Sequence, residues 1–177
     1  LLVVSLLVWY PYRYLKFNDG SVTDLSAPKK RIITSPVAWW LVAFFALQSF
    51  IFYFMVAWLP SILRARGISF ENAGYYAFGY QLMSIPSAFL VPQIAARKAS
   101  QRGILAVTSS IYVFGVALLL ISRSPISLLV AALICGFSTG ASFSMIMLLI
   151  PLRAPDAAIS ARLSGLVQSA GYTFAAI

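Results

Sequence analysis

The chain contains 177 residues, of which 61% are hydrophobic and 10% are charged, and its mean hydropathy is +0.90. These values are typical of polytopic membrane proteins and exclude a soluble globular core. The formal net charge is +9, but the basic residues lie between apolar runs, which argues against a nucleic-acid-binding face.

Stretches of about 20 residues without formal charge predict the membrane-spanning helices. Residues 1–12 are an apolar run without a basic leader or a small-residue cleavage site, so we interpret them as the end of a helix in a longer protein and not as a signal peptide. Complete spans are predicted near residues 36–60, 72–95, 103–122 and 126–150, with a further span that begins near residue 163.

The loops between these spans differ in length and in charge. Residues 13–35 form the only long predicted loop, and the other connections are short, so successive helices are expected to run antiparallel. Assigning alternate loops to the two sides of the membrane places ten of the 13 Lys and Arg residues on one side. The positive-inside rule therefore predicts that the loops at 13–35, 97–102 and 152–162 are cytoplasmic.

Three glutamines, Gln48, Gln81 and Gln168, lie within otherwise apolar spans. An amide moved into hydrocarbon without a partner costs about 4 to 8 kcal/mol on a cyclohexane scale, so each glutamine needs a physical reason. One interpretation is a helix-helix hydrogen bond, which contributes about 0.6 to 2 kcal/mol in membranes. The other is a water-filled cavity, and this is favoured because Ser164 and Tyr172 recur at i−4 and i+4 of Gln168, giving a polar stripe.

Two further patterns concern the packing of the helices. Pro86, five residues after Gln81, has no backbone N–H, so the carbonyl of Leu82 loses its intrahelical hydrogen bond. A free carbonyl at membrane depth is tolerated where it is buried in protein or lines a cavity. Small residues recur every four positions in a later span, which predicts a ridge that another helix approaches closely. The ridge consists of Ala132, Gly136, Gly140 and Ser144.

The residue types used in most catalytic and metal sites are scarce. The chain has no histidine, a single cysteine at Cys135, and four acidic residues that all lie outside the predicted spans. Disulfides, the usual zinc or iron sites, paired carboxylates and a Ser-His-Asp triad are therefore not expected. We predict that the protein is not an enzyme and has no cofactor or metal.

Three segments carry a family resemblance, and together they cover nearly the whole chain. "FFALQSFIFYFMVAWLPSIL", "GYQLMSIPSAFLVP" and "PLRAPDAAISARLSGLVQSAGY" resemble the cyanate and nitroimidazole permease family of the major facilitator superfamily. The resemblance implies an all-α polytopic fold, the C-terminal six-helix bundle of a twelve-helix transporter. Residues 1–12 would end helix 6, 13–35 would be the cytoplasmic loop between the halves, and 36–177 would hold helices 7–10 and the start of helix 11.

The resemblance also implies a site and partners. The cavity would be lined by Gln48, Gln81, Gln168 and Tyr172. Tyr53 stands five residues after Gln48, which is not the same helix face, so it would lie only at the edge of the cavity. The partners would be a small-molecule substrate, the lipid bilayer and the missing N-terminal half of the same transporter. One departure is Ala96, which stands where the superfamily often has an Asp, so this position lacks the acid that would pair with a basic residue to lock one conformation.

The sequence thus predicts a secondary permease in the inner (plasma) membrane, crossing it several times and moving a small polar or anionic solute by alternating access. Amides and a phenol suit such solutes because they donate hydrogen bonds without fixing a formal charge. Two alternatives stay open, a drug or metabolite exporter of the same superfamily and a non-transporting helical scaffold in which the glutamines only bind helices together. A membrane-embedded enzyme is disfavoured by the missing histidines and intramembrane carboxylates.

Overall fold

The structure, a computed structural model, describes residues 34–98 and 100–176. These residues form five helices and no strand, so the expected all-α fold class is confirmed. The helices are α1 Pro36–Ala65, α2 Phe70–Ala96, α3 Arg102–Ile121, α4 Pro125–Leu152 and α5 Ala157–Ala175. The helix end predicted at 1–12 and nearly all of the loop at 13–35 lie outside the described residues.

Three of the described helices are long and apolar enough to cross a membrane. These are α1, α3 and α4, with 30, 20 and 28 residues and mean hydropathies of 2.0, 2.4 and 1.9 over their most apolar stretches. A hydrocarbon core about 30 Å thick needs about 20 helical residues, so α1 and α4 are long enough to tilt or to extend beyond it. Helices α2 and α5 are of similar length, with 27 and 19 residues, but carry more polar side chains.

The helix boundaries differ from the sequence prediction at two places. Helix α1 continues through Pro60 to Ala65 instead of ending near residue 60. Helix α5 begins at Ala157, so the predicted start near residue 163 was wrong. The Asp156 side chain accepts a hydrogen bond from the backbone nitrogen of Ile159 at 2.7 Å and caps the first turn of α5. A search for uncharged stretches does not detect this helix start, because the capping residue is itself charged.

The chain divides into two compact units. Among the described residues, the first unit comprises 34–50 and 146–176, which are the start of α1, the end of α4 and all of α5. The second unit, Ile51–Met145, contains the rest of α1 and α4 together with α2 and α3. Each unit is described by itself below.

The core of the second unit draws on all four of its helical segments. Leu59, Tyr80, Leu119 and Leu128 are each almost completely buried in one cluster. Helices α2 and α4 approach closely at Gly136 and Gly140. A Cβ atom at either glycine would clash with a backbone carbonyl of α2. The predicted small-residue ridge is therefore found as a backbone contact at these two glycines.

One end of the second unit is fastened by hydrogen bonds from side chains to backbone carbonyls. Arg66 donates to the carbonyls of Ser122 at 3.0 Å and Leu120 at 2.6 Å, at the C-terminal end of α3. The Tyr76 phenol donates to the carbonyl of Pro125 at 3.2 Å. The last carbonyls of a helix lack intrahelical partners, and the positive guanidinium also suits the negative end of the helix dipole.

Candidate functional site

Helix α5 carries the polar stripe that the sequence predicts, beside a buried apolar ridge. The ridge consists of Ile159, Leu163, Val167 and Gly171. Each residue of the polar stripe directly follows a residue of this ridge. The stripe consists of Ser160, Ser164, Gln168 and Tyr172. Gln168 is half-buried and donates through Nε2 to Oγ of Ser164 at 2.8 Å. The ridge holds α5 in the first unit, and the stripe presents donors and acceptors beside it.

Gln48 lies on the packed face of α1. Its side chain is 7% exposed, and it stands one turn after the fully buried Phe45. Only a small part of the amide is therefore open to a solute in this conformation.

Helices α1 and α5 meet through two rings. The Phe45 and Tyr172 ring centroids are 4.9 Å apart, and the rings are nearly perpendicular at 80°. If successive helices alternate in direction, α1 and α5 run the same way. Gln48 then lies about 4.5 Å beyond the ring pair and Gln168 about 6 Å before it, at 1.5 Å per residue. With α1 and α5 parallel, the two amides would flank the ring pair, separated by about 10 Å along the helix axes.

A cleft of about 660 Å³ opens between the end of α4 and the start of α5. Its polar lining comes from Asp156, Ser160 and Ser164, and its apolar lining includes Met147 and Ile150. Ser160 and Ser164 also belong to the polar stripe. A continuous row of polar groups thus leads from this cleft along α5 towards Gln168 and Tyr172.

The other two predicted site residues, Gln81 and Tyr53, belong to the second unit. Both are exposed, Tyr53 to 52%, and the Tyr53 ring packs edge-on against Phe52 at 5.4 Å. The structure therefore groups Gln48, Gln168 and Tyr172 in one unit and places Gln81 and Tyr53 in the other.

The segment around Pro86 remains helical, since α2 runs without interruption from Phe70 to Ala96. Two hydroxyls bond to backbone carbonyls just before the proline. Ser84 Oγ donates to the carbonyl of Gln81 at 2.7 Å, and Ser87 Oγ donates to the carbonyl of Ser84 at 2.9 Å. Serine back-bonding of this kind often bends helices.

Sequence reasoning missed the residues that support the predicted site. Phe45 and Gly171 are in contact and hold α1 against α5, yet they were not singled out. A signal was present, because Gly171 falls on the same i+4 series as the buried Val167 and Leu163. Among residues 34–98 and 100–176, no group of three His, Cys, Asp or Glu side chains is placed to hold a metal ion.

The apolar helices of the chain belong to a known protein family. The family model described as Major Facilitator Superfamily matches residues 1–177. The chain belongs to the major facilitator superfamily. The resemblance inferred from the three sequence segments is confirmed, and so are the membrane-transporter terms that it implies.

The curated relatives of this major facilitator chain are transporters. It is 39% identical over 177 residues to YycB of Bacillus subtilis (strain 168), which is named an uncharacterized transporter. It is 30% identical over 174 residues to the 2-nitroimidazole transporter, and 25% identical over 177 residues to the cyanate transport protein CynX, both of Escherichia coli (strain K12). These matches cover 98 to 100% of the chain and 44% of each relative. No solved structure matches the chain significantly.

Proposed function

We propose that this chain forms part of a secondary permease of the inner membrane, which moves a small polar or anionic solute by alternating access. The polar stripe on α5 is the observation that carries the proposal, because a helix facing only lipid would not retain a row of hydroxyl, amide and phenol groups. The names of two relatives, which refer to 2-nitroimidazole and cyanate, support a solute of that size and polarity.

The chemistry of the stripe indicates how the solute is held. The predicted spans contain no Asp, Glu, Lys or Arg, so the available groups are neutral donors and acceptors. An amide supplies two donors and one acceptor oxygen, and a phenol supplies one donor. These groups bind a neutral heterocycle or an anion with delocalised charge without imposing the desolvation cost of a second buried ion.

The cleft between α4 and α5 supports a route to this site. It lies beside residues 152–162, which the charge distribution predicts to be cytoplasmic, and it reaches the stripe at Ser160 and Ser164. A solute would pass from this cleft to Gln168 and Tyr172. The solute, the bilayer and the other half of a twelve-helix transporter are the partners that this mechanism requires.

The decisive experiment compares affinity and stability in the complete transporter reconstituted in liposomes. We expect Gln168→Ala and Gln48→Ala to weaken the binding of 2-nitroimidazole or cyanate while expression stays near the wild-type level. Gln93→Ala is the matched control, since Gln93 is an exposed glutamine near the end of α2. Unaltered affinity in both site variants would contradict the proposed site.

The scaffold alternative has one observation in its favour, the burial of Gln48. If the glutamines only bind helices together, their replacement should lower the melting temperature and leave solute affinity unchanged. Measuring both quantities on the same preparations separates the two functions. Solute flux distinguishes a permease from a scaffold directly, and the direction of flux distinguishes uptake from the exporter alternative.

A further inference from the structure

Phe45 is seated against the bare backbone of Gly171. A Cβ atom added at Gly171 would lie 2.5 Å from Cδ1 of Phe45 and 3.3 Å from its Cγ. Both residues are buried, and Phe45 is 0% exposed. The ring therefore occupies the space that any larger residue at position 171 would need, so its position depends on the glycine.

The same ring also contacts Tyr172, the residue that follows Gly171. The two rings meet edge to face, with centroids 4.9 Å apart at an interplanar angle of 80°. Tyr172 is 41% exposed, whereas Phe45 is completely covered. A solute can touch the Tyr172 ring and its phenol, but it cannot touch Phe45.

This arrangement restricts the Tyr172 side chain before a solute arrives. A helical tyrosine otherwise has two accessible χ1 wells, near 180° and −60°, and binding would have to select one of them. A ring packed against it stabilises a single orientation, and such pre-ordering improves affinity by reducing the entropy lost on binding. Phe45 thus has a means of influencing the solute without contacting it.

We propose that Phe45, held in place by Gly171, is a positioning residue that fixes the Tyr172 ring for solute binding. The proposal rests on the proposed function, since it assumes that Tyr172 contacts the solute. It assigns a role to two residues outside the polar stripe. It also gives a reason why the residue before Tyr172 is a glycine.

The test is a double-mutant cycle in the complete transporter, with uptake of radiolabelled 2-nitroimidazole and of cyanate measured in liposomes. Phe45→Leu should raise the KM of the transported solute about 2- to 12-fold, the range expected for loss of an aromatic pair, with an unchanged maximal rate. In a Tyr172→Ala background the same substitution should leave KM unchanged, because the ring that Phe45 positions is absent. Phe44→Leu is the matched control, as Phe44 is the neighbouring half-buried phenylalanine.

Gly171→Ala provides a second and independent variant. It should raise KM as Phe45→Leu does, whereas Gly165→Ala should not, because a Cβ at Gly165 meets no atom within 4 Å. If Phe45→Leu raises KM equally with and without the Tyr172 ring, Phe45 has only a structural role and the proposal is overturned while the permease function stands. If Tyr172→Ala leaves KM unchanged, the proposed site itself fails and the positioning role fails with it.

Discussion

The phenol of Tyr80 donates a hydrogen bond to Oγ1 of Thr139 at 3.0 Å, joining α2 to α4 inside the second unit. Thr139 in turn donates to the carbonyl of Cys135 at 2.7 Å. Both side chains are almost completely buried, so water does not compete for these bonds. Thr139 lies in sequence between Gly136 and Gly140, and Gly136 packs against the backbone of Tyr80, so the hydrogen bond reinforces the close contact of α2 and α4.

Removal of the phenol should weaken this helix pair. Tyr80→Phe keeps the ring and leaves Thr139 bonded to Cys135, so we expect a loss of about 0.6 to 2 kcal/mol in the free energy of unfolding, the contribution of hydrogen bonds between membrane helices. Thermal unfolding of the complete transporter in detergent measures the change. Tyr75→Phe is the control, because Tyr75 is exposed and its phenol donates to Glu71 on the same helix. Equal melting temperatures for both variants would show that the buried bond adds no stability.

A methyl group at Gly140 should be more damaging. Its Cβ would meet the carbonyl of Ser84 and would lie 2.5 Å from Oγ of Ser87, and backbone cannot yield as a flexible side chain can. We expect Gly140→Ala to cost about 1 to 3 kcal/mol through overpacking. Gly74→Ala supplies the comparison, since nothing lies within 4 Å of a Cβ there and alanine favours the helix. The result is read as the difference in melting temperature between the two, and a stable Gly140→Ala variant would argue against close contact of α2 and α4.

Arg66 should stabilise the end of α3. Replacing it with Ala removes both donors from the carbonyls of Leu120 and Ser122, and we expect a loss of about 1 to 2 kcal/mol for this partly exposed, charge-assisted contact. Lysine should restore only part of this loss, because it lacks the planar fork that reaches two carbonyls. Arg123→Ala removes an exposed cation nearby and tests whether charge alone matters. Similar melting temperatures for the alanine variants at 66 and 123 would rule out a specific role for the hydrogen bonds.

The orientation of the helices can be tested by thiol labelling. In a Cys135→Ser background, Cys at Ser100 should resist an impermeant thiol reagent applied to intact cells, while Cys at Ser69 should react. Both serines are exposed, so access to the reagent depends on the side of the membrane and not on burial. The expectation follows from the ten-to-three distribution of basic residues between the loops. The reverse labelling pattern would invert the assignment and place the cleft between α4 and α5 outside the cell.

The helices and one helix contact were predictable from sequence because their signals are local. Charge-free stretches located α2, α3 and α4 to within a few residues, and the spacing of Gly136 and Gly140 indicated a close approach of another helix. The bond between Tyr80 and Thr139 joins residues 59 positions apart and depends on how α2 and α4 cross, which no local pattern specifies. The candidate site was predictable only in part. The four-residue spacing of polar side chains on α5 gives its polar stripe, but it does not give the burial of Gln48 or the packing of Phe45 against Gly171.

The contact at Gly136 and Gly140 has a consequence for how this segment tolerates genetic variation. Where backbone touches backbone, a change on α2 cannot compensate for a larger residue on α4, because the carbonyls of Tyr80 and Ser84 are the same whatever side chains those positions carry. A saturation library screened for surface expression should therefore show depletion of nearly every substitution at the two glycines. At exposed positions such as Phe78 and Phe89, most substitutions by other apolar residues should be tolerated.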